Sequence, residues 1–152
     1  MRIAAIDYGT VRWGIAISNP QQTIASPLET YTRRGREQDA SRMKRLVAEE
    51  SVTLFVVGLP VHLSGQESQK SREARQFGEW LHQVTGVPVE FFDERFTTSQ
   101  AHEVLAEAQM KGRRRKERVD RLAAQIILSA YLESNTRGSQ EPGALDDDLP
   151  PV

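Results

Sequence analysis

The stretch Ile3–Ser18, IAAIDYGTVRWGIAIS, is the feature that most limits what this chain can fold into. An apolar run, Ile3–Ile6, ends on Asp7; Gly9 and Thr10 turn the chain, and Gly14–Ile17 returns. Two short apolar runs closed by a glycine-containing connection predict a β-hairpin. Asp7 then stands where the first strand opens to solvent, and a carboxylate directly after an apolar run needs water, a partner or a cation. Gly9 leaves room for a phosphate to approach the backbone. A turn-capping aspartate satisfies the same D-x-G-T pattern, so the choice rests on what else the chain brings to Asp7.

Downstream, Ile24–Tyr31 reads as a third strand, with Pro27 marking an edge or an interrupted ladder. Ala40, Met43, Leu46 and Val47 recur at helical spacing within Glu37–Glu50. Thr53–Val57 is an apolar β run that suits a central parallel strand and ends at Gly58-Leu59-Pro60. A helix over Ser68–Val84 follows, terminated by Gly86, and Val87–Phe92 is a further strand ending on Asp93-Glu94-Arg95. Thr97 with Gln100 makes a capping box for a helix through Ala108, and Gly112 breaks it. The last helix, Lys116–Glu133, is apolar on most sides from Leu122 and is expected against the sheet. The order β-β-β-α-β-α-β-α-α predicts an α/β domain, residues 1–134, built on one mixed five-stranded sheet flanked by helices. Residues 135–152, rich in Gly, Ser, Pro and Asp, read as a mobile acidic tail.

The absence of cysteine removes disulfides, thiolate metal sites and cysteine nucleophiles from consideration. No apolar run approaches a membrane span, and Met1-Arg2 leads straight into a strand rather than a signal peptide. The expected location is therefore cytoplasmic, with no membrane partner. A net charge of −1 conceals two opposed regions. Glu141, Asp146, Asp147 and Asp148 lie in the tail, whereas Lys111–Arg121 carries seven basic residues.

Three acidic positions are unusual in the same way. Asp7 ends the first strand, Asp93-Glu94 end the last, and Asp120 lies early in the final helix. Asp120, Ala123, Ala124 and Ile127 share one helical face, and the alanines let that face approach the sheet closely. In sheets of this kind, sites form beyond the carboxyl ends of the strands. Carboxylates gathered there repel, and a hard divalent cation resolves the conflict; oxygen-only ligation favours Mg²⁺ or Mn²⁺. Such a site can activate water for in-line phosphodiester cleavage. The plainer readings are an Asp93 or Glu94 paired with Arg95 and an Asp120 held by the helix dipole; three acids at one rim favour the functional account.

The chain resembles the pre-16S rRNA nucleases, also described as Holliday-junction-resolvase-like proteins, of the RNase H-like fold. The resemblance runs from Arg2 to Glu133. It rests on Ile6-Asp7-Tyr8-Gly9-Thr10, Arg12 with Gly14, Val57-Gly58-Leu59-Pro60, Asp93-Glu94-Arg95-Phe96-Thr97-Thr98 with Ala101, and Val119-Asp120 with Ala123-Ala124, Ile127-Leu128 and Tyr131-Leu132. It implies Asp7, Glu94 and Asp120 as the catalytic, metal-binding set. Strand alternation puts Asp93 and Glu94 on opposite faces, so only one of them reaches the metal side without a bend; the resemblance favours Glu94. Trp13 stands where the pattern has an aliphatic residue, Asn19 where Asp is common, and His62 and Ser64 replace an expected Asn and Asp. No carboxylate of the set is lost.

The basic run supplies the expected partner. Lys111, Arg113, Arg114, Arg115 and Lys116, extended by Arg12, Arg33, Arg34 and Arg95, form a footprint for phosphates, whose contacts are independent of sequence. No interleaved aromatic pattern points to single-strand stacking, so a nucleic acid read by shape is expected, structured RNA (pre-rRNA) ahead of branched DNA, and nothing marks an oligomer interface. The leading expectation is a metal-dependent nuclease, a hydrolase acting in 5′-end maturation of pre-16S rRNA during ribosome biogenesis. The alternatives are a Holliday-junction resolvase in DNA recombination and a non-catalytic nucleic-acid-binding factor in ribosome assembly or transcription. A sugar-kinase-type ATPase shares D-x-G-T but needs a second lobe that one short domain cannot supply.

Overall fold

The computed structural model describes residues 1–60, 68–94 and 113–140. Five strands, β1 (Arg2–Asp7), β2 (Arg12–Ser18), β3 (Ala25–Thr32), β4 (Val52–Leu59) and β5 (Val89–Asp93), form one sheet in the order β3-β2-β1-β4-β5. Pairing is antiparallel for β1–β2 and β2–β3, and parallel for β1–β4 and β4–β5. Helices α1 (Arg36–Glu50) and α2 (Gln69–Thr85) form the crossovers, and α3 (Arg113–Gln140) packs across the sheet. The mixed sheet flanked by helices is the one the element order predicts.

Because side chains alternate along a strand, each central strand feeds two cores. Ala4, Ile6, Ile15, Ile17, Phe55 and Val57 pack with Met43, Leu46, Phe77 and Leu81 of α1 and α2. Ile3, Ala5, Ala16, Val56 and Phe92 pack with Ala124, Ile127 and Leu128 of α3. This double burial explains why β1 and β4 read as continuous apolar runs rather than alternating ones. Strand β3 is an edge, and the register between it and β2 shifts beside Pro27, where the ladder loses a donor. Ser68 proves to be the cap of α2, its Oγ accepting from the Ser71 N–H, while Gly86 closes the helix at φ 75°.

The close packing of α3 depends on Gly14. A Cβ built there would lie 1.8 Å from the Asp120 carbonyl oxygen, so helix backbone touches strand backbone at that point. Ala123 and Ala124 continue the close face, at 5% and 0% exposure. Further along, Ile127, Leu128 and Leu132 are buried against the sheet, each contributing about 1.5–3 kcal/mol of apolar burial.

Some boundaries differ from the sequence reading. Helix α3 starts at Arg113 rather than Lys116 and continues to Gln140, so Thr136–Gln140 of the expected tail is helical backbone. Between Glu133 and Arg137 there is neither proline nor glycine, and a polar composition does not by itself stop a helix already propagating. The segments 61–67, 95–112 and 141–152 lie outside the described residues. With them go His62, Ser64, Arg95, the helix expected from Thr97, Lys111 and most of the tail.

Replacing Gly14 with Ala is expected to destabilise the fold by about 1–3 kcal/mol, the usual cost of overpacking. The thermal midpoint followed by circular dichroism should fall by roughly 3 °C or more. An unchanged midpoint would mean that α3 does not rest on β2 at this contact.

Candidate active site

Strands β1, β4 and β5 run parallel, so their carboxyl ends share one edge of the sheet. Asp7 ends β1, and its register partner on β2 is Gly14. The missing side chain of Gly14 therefore brings Asp120 of α3 over the sheet beside Asp7. On the neighbouring strand a Cβ at Gly58 would lie 2.9 Å from Glu94 Oε2 and 2.7 Å from Ile127 Cδ1. Two glycines on adjacent sides of Asp7 thus make the space that the other two acids use.

The face that α3 covers separates Asp93, the last residue of β5, from Glu94, which follows it. Phe92 packs on the α3 side and the Tyr131 hydroxyl of α3 donates to Glu90, whereas Val89 and Phe91 pack toward the α1 and α2 side. Glu94, just past the end of β5, lies on the α3 side too: the space above Gly58 is shared by Glu94 Oε2 and Ile127 Cδ1 of α3. Asp7, Glu94 and Asp120 line one cleft of about 540 Å³, together with Arg12, Gly9 and Thr10. Asp93 is not among the described residues that line it.

The electrostatics are those of crowded acids. Burial pushes the Asp7 carboxyl up to about 8, with the nearby Glu94 and Asp120 acting in the same direction. Glu94 is raised as well, chiefly by burial and then by Asp93. Asp120 has a cationic neighbour: Arg12 Nε donates to its Oδ2 at 2.9 Å, with both side chains about a quarter exposed. This ion pair spans the hairpin and α3, and it turns part of the Arg12 guanidinium inward. Among the described residues no group of three or more His, Asp or Glu side chains is arranged to hold a metal ion as it stands. The donor chemistry nonetheless fits a hard cation: three carboxylates with no histidine, cysteine or methionine among the described residues that line the cleft, and a half-buried acid whose charge is unfavourable alone.

Residues 1–134 match the family described as RuvX: Holliday junction resolvase. The chain belongs to this family. A protein of Rhodopirellula baltica named "Putative pre-16S rRNA nuclease" is 43% identical over 147 residues, covering 96% of this chain and 85% of the relative. One of Koribacter versatilis with the same name is 40% identical over 141 residues, covering 93% and 92%. The fold resembles Thermus thermophilus RuvC in complex with a Holliday junction substrate (TM-score 0.56, 15% identity, 90% and 97% covered). It also resembles the fowlpox virus resolvase bound to Holliday junction DNA (TM-score 0.54, 11% identity, 89% and 99% covered). These are RNase H-like folds, as the sequence resemblance implies.

The structure also brings α2 to the cleft, through Lys70, Glu73 and Ala74. Sequence reasoning gives α2 only a covering role. The available signal is its position directly after the β4 carboxyl end, which delivers a first helical turn to the same rim. Gly9 lines the cleft and has a structural reason besides the expected one: a Cβ there would meet the Arg12 carbonyl oxygen at 2.5 Å, so the tight hairpin itself requires glycine. Of the basic set, Arg12 stands at the cleft. Arg113, Arg114, Arg115 and Lys116 belong to the first turn of α3, whose side chains lie outside the described residues.

The crowding of Asp7 has a testable sign. Its carboxyl is raised from 3.8 to about 8 on folding, so between these values the native state holds a proton the unfolded chain has released. Stability should therefore decline as pH rises from about 4 to about 8. Asp7→Asn has nothing to ionise. In chelator, its thermal midpoint should match wild type near pH 4 and exceed it increasingly toward pH 8. A constant difference across that range would show that Asp7 is not crowded.

Proposed function

We propose that this chain is a divalent-metal-dependent endonuclease, a hydrolase that cleaves phosphodiester bonds in pre-16S rRNA during 5′-end maturation in the cytoplasm. The observation that carries the reading is the meeting of Asp7, Glu94 and Asp120 in one cleft at the carboxyl edge of the sheet. Asp7, Glu94 and Asp120 would hold Mg²⁺ or Mn²⁺ through carboxylate oxygens. A cation held there would supply Lewis-acid activation of water and charge stabilisation at the leaving oxygen of a phosphodiester. Arg12 positions the Asp120 carboxylate through the 2.9 Å hydrogen bond. Lys70, exposed at the cleft rim, offers a charge-assisted donor to a substrate phosphate. The names of the relatives favour pre-16S rRNA as substrate. The family description supports a second reading, branched DNA, for the same carboxylate chemistry.

Cleavage of a pre-16S rRNA fragment and of a four-way DNA junction, assayed in single turnover with and without Mg²⁺, tests both readings. Asp7→Asn and Glu94→Gln should each lower cleavage by more than the 10- to 100-fold typical of outer-shell changes, whereas Asp93→Asn should retain most activity. Near-wild-type cleavage by Asp7→Asn would remove Asp7 from the site. An essential Asp93 would reverse the assignment on β5.

The basic run is proposed as the phosphate track leading to the cleft. Changing Arg113, Arg114 and Arg115 together to Ala should weaken binding to many nucleic acids alike. It should also flatten the log–log salt dependence by about 0.7–0.9 for each phosphate that is no longer neutralised. Equal slopes for the variant and wild type would leave the run as a solvated connector.

A further inference from the structure

We propose, building on the nuclease reading above, that a second cavity beside the cleft is a subsite for one unpaired nucleobase of the strand being cut. The cavity holds about 260 Å³ and shares Tyr8 and Glu73 with the catalytic cleft, so a strand whose phosphate lies at Asp7 has a neighbouring base within reach of it. Its wall is an aromatic cluster: Phe77 lies 4.8 Å from Tyr8, 4.7 Å from Trp13 and 5.8 Å from Trp80, centroid to centroid. Trp13 and Phe77 are buried, whereas Tyr8 and Trp80 keep accessible surface.

The charged side of the cavity, where Arg33 pairs with Asp39 at 3.8 Å and Arg36 and Glu73 stand nearby, suits the same ligand. Arg33 sits 5.9 Å from the Tyr8 ring centroid and 5.7 Å from that of Trp13, and is fixed by donation to the Thr10 carbonyl at 3.0 Å. A planar guanidinium set among aromatic faces stacks on a flat π ring as readily as they do. Arg36 adds positive charge at the rim, and Gln76 and Glu73 offer donor and acceptor groups to a base edge. Packing alone explains this cluster poorly. The Trp13 indole N–H is buried with no hydrogen-bond partner among the described residues, and an aliphatic residue would fill the position without stranding a donor.

The chain has two tryptophans, and both line this cavity, so intrinsic fluorescence reports on it directly. The test titrates the full chain, in chelator, with a short single-stranded RNA and with versions carrying one abasic nucleoside at successive positions. The intact strand should quench the tryptophans. An abasic nucleoside at one register should abolish the quenching and weaken binding at least about 5-fold, the lower end for loss of one base–aromatic stack. Trp80→Phe should keep the difference between intact and abasic strands, and Trp80→Leu should erase it. If Trp80→Leu does not fold, the abasic series on wild type still decides. RNA binding that is indifferent to every abasic position overturns the subsite and leaves the nuclease reading intact. A chain that neither binds nor cleaves RNA or junction DNA overturns the nuclease reading and the subsite with it.

Discussion

The contact on which the rest of the site depends is backbone against backbone, where Asp120 of α3 crosses Gly14 of β2. Any side chain at Gly14 would occupy the place of the Asp120 carbonyl, 1.8 Å from a Cβ. Gly14 is also the register partner of Asp7. One glycine therefore sets two distances: the packing depth of the final helix, and the separation of an acid on the first strand from an acid on the last helix. The alanines at 123 and 124 keep the helix close after the crossing, and Ile127, Leu128 and Leu132 anchor it. Stability and site geometry are the same contact seen from two sides.

That closeness has an electrostatic consequence. Asp7 is half-buried beside Glu94 and Asp120, and its carboxyl is pushed up to about 8, so a proton and a cation compete for it. Asp120 finds a different remedy in Arg12. An arrangement that is unfavourable when empty of charge compensation is the kind that functional sites retain and structural cores avoid. The ion pair also means that Asp120 must share its oxygens between a guanidinium and any bound cation. This fits the fact that no group of three acids among the described residues is arranged to hold a metal as it stands.

Much of this is legible in the chain because it follows from periodicity. The continuous apolar runs of β1 and β4 announce strands buried on both faces, and Ala123-Ala124 announces a helix lying close to a sheet. Asp7 is visible as a carboxylate at the end of such a run. The choice between Asp93 and Glu94 is not, since alternation separates them without saying which face the last helix covers; the Tyr131–Glu90 hydrogen bond resolves that. Lys70 and Glu73 escape notice because their exposure on a helix looks the same in sequence whether they face solvent or a cleft. The C-terminal extension of α3 is hidden for a related reason: polar residues past Glu133 resemble a tail in composition yet continue a helix in backbone.

The central claim is that close packing at Gly14 crowds the three carboxylates so that Asp7 keeps a proton which a cation must displace. Calorimetric titration of the protein with Mn²⁺ at pH 7, in two buffers of different ionisation enthalpy, measures that displacement directly. The account predicts release of about one proton per cation bound, because ligands must be deprotonated and the Asp7 carboxyl is raised to about 8. Cation binding with no proton release would contradict it.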